Sequence, residues 1–227
     1  MSSEWSRCQT ADHVKVAALG QTVRWHKDCI LPFRAAIKLA SRTEYGKWLL
    51  GRKELWDVQT YACREVRGGS GHSEHSHPVA LDVRPGSNPM RDDGILITDY
   101  DRFGLDDGEA FVNAFIWCGF RSGIAYYTIP EKTRSYLAQN GKKIRDGRVD
   151  PMHFEFAHDK QWIEKNRDYL EDILEETEAP TWYAVITRRF DGTNIAHCKD
   201  IDQLVNAVFK IGRGSGGYYT NFSVPKG

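Results

Sequence analysis

Two short runs in which apolar residues alternate with chemically active ones constrain this chain more than any other feature. In Val79-Ala80-Leu81-Asp82-Val83 successive side chains of a strand point to opposite faces, so Asp82 shares a face with Ala80 and turns away from Val79, Leu81 and Val83. In His153-Phe154-Glu155-Phe156 the two Phe alternate with His153 and Glu155 in the same way. Each run therefore predicts a strand with one greasy face and one reactive face. His75 lies in the polar segment ahead of the first run, and Asp150 stands just ahead of the second.

Two imidazoles and a carboxylate are the donor set of a catalytic zinc, which takes three protein ligands and keeps a fourth position open. On that ground His75, Asp82 and His153 are the candidate metal ligands, with Zn2+ as the expected ion. Asp150, three residues before His153, is the candidate general base. Glu155 is either a partner that orients a ligand from behind or a surface carboxylate, with the first reading preferred. His72 and His77, in the same Gly/Ser-rich segment, are expected to be solvated rather than metal-bound.

With these residues in place the chain resembles the zinc D-alanyl-D-alanine carboxypeptidase family, which includes the phage L-alanyl-D-glutamate endopeptidases. Ser73, His75, Ala80 and Asp82 match its first motif, Asp150 and His153 its second, and Asp at the base position is similar to the phage branch. The segment from Ala114 to Gly123 resembles the helix, Gly-Phe turn and strand that precede the family's last ligand. Two positions depart: Pro78 stands where the family usually has Gly, and Met152 where it often has an aromatic residue or Pro. The resemblance covers roughly residues 20 to 170. It implies a peptidoglycan stem-peptide hydrolase of the endolysin type, or a D-alanyl-D-alanine carboxypeptidase or dipeptidase. It also implies an arginine ahead of the first motif that binds substrate, with Arg64 as the best match and Arg67 as its rival, and Ser73 beside the site. A non-catalytic wall-binding or virion structural protein is the reading from another class.

Lys plus Arg and Asp plus Glu both number 31, so no net field draws in nucleic acid. The N-terminus lacks the apolar core of a signal peptide, and no stretch approaches the ~20 apolar residues of a membrane span. The expectation is synthesis in a host cytoplasm and action at the cell wall. Five widely spaced cysteines without a Cys-x-x-Cys pair argue against a disulfide framework and a structural zinc cluster.

The fold expected is α+β: a small antiparallel sheet with flanking helices and a zinc site in residues 1–175. A small β-β-α-β module of unassigned role follows in residues 181–227. Ile30, Phe33, Ile37 and Ala40 recur at helical spacing. Residues 58–62 and 95–97 read as strands, and Gly68 to Gly71 as a flexible loop delivering His75. Asp106-x-x-Glu109 resembles a capping box opening a helix that Gly119 stops. Lys142, Lys143, Arg145 and Arg148 lie in a basic stretch expected to rim the site, and residues 162–174 form a closing helix. Asp191-Gly192 signals a hairpin, Asp200 to Gly212 a helix, and Tyr218 to Val224 a last strand.

Overall fold

The structure is a computed structural model. It describes residues 5, 8, 11–52, 58–60, 62, 74–123 and 148–175, and the backbone of 183–189, 192–198 and 219–223. The chain divides into two compact units, Met1–Ile163 and Glu164–Gly227.

The first unit opens with a hairpin that the sequence reading did not anticipate. Strands β1 (His13–Ala18) and β2 (Gln21–His26) pair antiparallel through Leu19 and Gly20. Both loop residues have positive φ, 42° and 87°, the geometry of a two-residue turn that follows strand twist. Trp25 leaves this hairpin to stack on Phe33 of helix α1 (Ile30–Ala40), with ring centroids 4.0 Å apart. The helix lies where its periodicity predicts, although Pro32, Ala35, Ala36 and Leu39 join Phe33 and Ala40 in the buried face while Ile30 and Ile37 stay half-buried.

Helix α2 (Glu44–Leu50) starts at Thr43, whose hydroxyl accepts from the Gly46 N–H. Helix α3 (Leu105–Trp117) corrects the capping-box expectation: Gly104 is its N-cap and no side chain caps it. Asp107 instead accepts the N–H groups of Glu44 and Tyr45, so it caps the neighbouring helix across the fold. Gly119, with φ of 87°, ends α3 as predicted. A Cβ there would lie 2.8 Å from Trp162, so the position needs Gly for space as well as for its backbone.

The central sheet has four antiparallel strands in the order β3 (Val58–Gln59), β4 (Ala80–Val83), β6 (His153–Phe156), β5 (Phe120–Ser122). Its register sets Leu81 opposite Phe154 and Asp82 opposite His153. The apolar face packs on α3, where Phe115 stacks on Phe154 at 4.3 Å and meets Phe120 edge-on. Burying such rings contributes about 2–3 kcal/mol each and clamps the sheet against the helix. The other face carries the reactive residues.

Some expectations are corrected. The first strand is two residues long rather than spanning 58–62. Residues 95–97 form no strand. Asn88, which accepts from the Asp99 N–H and donates to the Val83 carbonyl, ties that connection down, and Leu96 is buried within it. The closing helix is split into α4 (Lys160–Lys165) and α5 (Arg167–Glu175). Cys8 is disulfide-bonded, which the cysteine spacing did not suggest, whereas among the described residues Cys29 and Cys118 are free and buried.

In the second unit β7 (Tyr183–Arg189), β8 (Gly192–Cys198) and β9 (Tyr219–Ser223) form an antiparallel sheet in the order β8-β7-β9. The helix expected at 200–212 lies outside the described residues. Among the described residues no helix is long and apolar enough to cross a membrane.

Candidate metal site

His75 sits in a 3-10 turn (Glu74–Ser76) locked by backbone contacts on both sides. Its carbonyl accepts from the Ala62 N–H at 2.8 Å, and that of Ser76 accepts from the Cys8 N–H at 2.8 Å. Its ring is buried, and Nδ1–H donates to the Thr60 carbonyl at 2.6 Å. That bond directs Nε2 to Asp82 Oδ1 at 3.0 Å and to His153 Nδ1 at 3.2 Å. The triangle closes with His153 Nδ1 to Asp82 Oδ1 at 3.0 Å. On the far side of its ring, His153 turns Nε2–H to Glu155 Oε2 at 3.4 Å.

These partners decide what the triangle can hold. With one N–H of each ring committed outward, the inward nitrogens present lone pairs to each other and to a carboxylate. Three acceptors facing one point repel unless a proton or a cation lies among them. The separations match the edge of about 3.3 Å expected between ligands of a tetrahedral zinc bonded at about 2.0–2.1 Å. The donor set thus fits a divalent ion, and His75, Asp82 and His153 are the group among the described residues with ligand atoms close enough to hold one. The outward bonds from His75 to Thr60 and from His153 to Glu155 are the orienting contacts such ligands use.

The electrostatics record the same crowding. Burial works against the charge on Asp82, but hydrogen bonds with His153 and His75 more than offset it and hold the carboxyl well below its usual range. For His153 burial again opposes charge, and hydrogen bonds with Asp82 and Glu155 push its pKa up to about 10. Without a metal, a proton held on His153 therefore relieves the repulsion.

Asp150 lies beside this group. Its backbone carbonyl accepts from the His153 N–H at 3.3 Å, and its buried Oδ1 has no hydrogen-bond partner among the described residues. Burial raises its pKa to about 6; the charge of His153, and more weakly those of His75 and Arg148, oppose the rise, while Asp82 adds to it. Gly123 makes the close approach possible, since a Cβ there would sit 2.0 Å from the Asp150 carbonyl oxygen.

Of the residues singled out in the sequence, the fold brings His75, Asp82, His153, Glu155 and Asp150 together. Arg64, Arg67, Ser73 and His72 lie outside the described residues. So does the basic stretch 142–145, while Arg148 is exposed and pairs with Asp92. His77 corrects the solvated expectation: it is buried and donates from Nδ1 to the Trp5 carbonyl at 2.7 Å, outside the metal triangle. Arg121 was not anticipated. It stands opposite Glu155 in the sheet register and is ion-paired with it. Its alternation in Phe120-Arg121-Ser122 is the signal that would have put it on the reactive face.

Fold and site together define an α+β protein with a buried His–Asp–His group suited to a metal ion. Searches of protein-family models, curated proteins and solved structures find no match to the chain.

Proposed function

We propose that the chain is a zinc-dependent peptidase acting on peptidoglycan stem peptides, of the L-alanyl-D-glutamate endopeptidase type. The observation that carries the reading is the convergence of His75 Nε2, Asp82 Oδ1 and His153 Nδ1 beside the buried, unpartnered Oδ1 of Asp150. A purely structural His–Asp–His cluster has no use for a second carboxylate beside it with an oxygen unpartnered among the described residues, because a buried unsatisfied polar atom costs about 1–3 kcal/mol.

His75, Asp82 and His153 would hold the ion, which when bound supplies Lewis acidity toward a carbonyl and toward water. Thr60 and Glu155 keep the two imidazoles in the tautomers that turn lone pairs inward. Asp150 Oδ1 accepts the proton of the attacking water and returns it to the leaving amine. Burial raises the pKa of Asp150 above the usual carboxylate range in the metal-free site, the direction that suits a general base working near neutral pH. Arg64 is the proposed stabiliser of charge on the substrate. The disulfide at Cys8 accords with action outside the reducing cytoplasm, at the cell wall. D-alanyl-D-alanine carboxypeptidase or dipeptidase activity uses the same site with a different pocket.

Asp150→Ala tests the assignment. Metal content measured by atomic emission should remain one ion per chain while hydrolysis of stem peptides is lost. Full activity in the variant would sink it.

A further inference from the structure

Arg121 has no part in the metal chemistry above, yet it completes a line of charge across the reactive face. From the edge strand inward the order is Arg121 on β5, Glu155 and His153 on β6, and Asp82 on β4. The two oxygens of Glu155 divide their contacts: Oε1 accepts from Arg121 Nη2, and Oε2 faces His153 Nε2. The Glu155 side chain is 3% exposed and that of Arg121 34% exposed. A carboxylate buried so deeply is tolerated only with a countercharge, and water cannot replace that partner. The Arg121 end, in contrast, reaches solvent.

We propose that Arg121 is a positioning residue for the metal site, acting through Glu155 to hold the His153 ring with Nδ1 turned toward His75 and Asp82. The inference rests on the metal reading above. Phe154 and Phe156 point to the opposite face of β6, so on that strand Glu155 is the side chain that offers the His153 ring an acceptor. If the guanidinium is lost, Glu155 keeps its place in the strand but loses this ion pair, and the acceptor facing the imidazole is held less firmly. Outer partners of this kind typically change metal affinity about 10–100-fold.

The test is titration of Zn2+ into metal-free wild type, Arg121→Gln, Arg121→Lys, Glu155→Gln and the double Gln variant, with Co2+ absorption spectra as a report on ligand geometry. Arg121→Gln should weaken binding about 10–100-fold and alter the Co2+ spectrum. Arg121→Lys should recover most of both. Glu155→Gln, a neutral isostere, should lose a similar factor, and adding Arg121→Gln to it should cost nothing more, because two residues acting in one chain are not additive. Wild-type affinity in Arg121→Gln, a fully additive double variant, or a loss that Lys does not rescue would each overturn the inference. Absence of metal uptake by the wild type would instead sink the metal reading itself, so the two failures are distinguishable.

Discussion

Asp150→Asn should stabilise the metal-free protein while destroying its activity. Asp150 has a folded pKa of about 6 against 3.8 for the unconstrained group, because burial disfavours its charged form. A carboxyl whose pKa is raised on folding binds its proton more tightly in the folded state. Stability is therefore highest below pH 3.8 as far as this group is concerned, falls as pH rises to about 6, and stays low above it. The cost of ionised Asp150 at pH 7.5 is about 3 kcal/mol from that difference. Asn keeps the shape and drops the charge but brings an amide that must also be solvated, so a net gain of about 1–2 kcal/mol is expected. For a unit of this size that is a rise of roughly 2–8 °C in Tm. A bound dication favours the carboxylate, so the gain should shrink or reverse when Zn2+ is added. Thermal unfolding with chelator at pH 4 and 7.5 measures it: the Asn variant should gain at 7.5 and not at 4. An equal effect at both pH values, or destabilisation at 7.5 without metal, would refute the reasoning.

Three further outcomes follow from the same contacts. Metal uptake should release about one proton at pH 7, because His153 with its pKa near 10 must give up its proton, and affinity should rise about tenfold per pH unit up to that point; calorimetry in buffers of different ionisation enthalpy counts the protons, and pH-independent binding would contradict it. Gly123→Ala should push the 150 segment away, lowering stability by about 1–3 kcal/mol and hydrolysis by far more than metal affinity, since the new Cβ would overlap the Asp150 backbone. His75→Ala should abolish metal retention and His77→Ala should not, as read by metal content after gel filtration, because His77 is committed to the Trp5 carbonyl.

The reactive face was legible because strand periodicity is local: Asp82 with Ala80, and His153 with Glu155, are separated from Leu81, Phe154 and Phe156 by alternation alone. The α3 stop at Gly119 was legible for a similar reason, a residue suited to positive φ after an apolar helix. What was not legible depends on partners far along the chain. Asp107 lies inside the Asp106-x-x-Glu109 run that reads as a cap for its own helix, and only the packing of α2 beside α3 shows that it serves Tyr45, 62 residues away. Residues 95–97 carry strand-like side chains, yet the Asn88 contacts hold that stretch as a connection. The hairpin of β1 and β2 turns through Leu19-Gly20, which lacks the usual Asn-Gly signal. Arg121 had meaning only once the register put it opposite Glu155.

The central claim is that one buried metal site, with Asp150 beside it, cuts peptidoglycan stem peptides. Its most direct test is digestion of purified peptidoglycan by Zn2+-loaded protein, with and without chelator, with released ends read by mass spectrometry. The expected result is new amino ends on D-glutamate that vanish with chelator and in Asp150→Ala. Released D-alanine would instead indicate the carboxypeptidase branch. Metal bound one to one with no cleavage across several wall chemistries would contradict the claim.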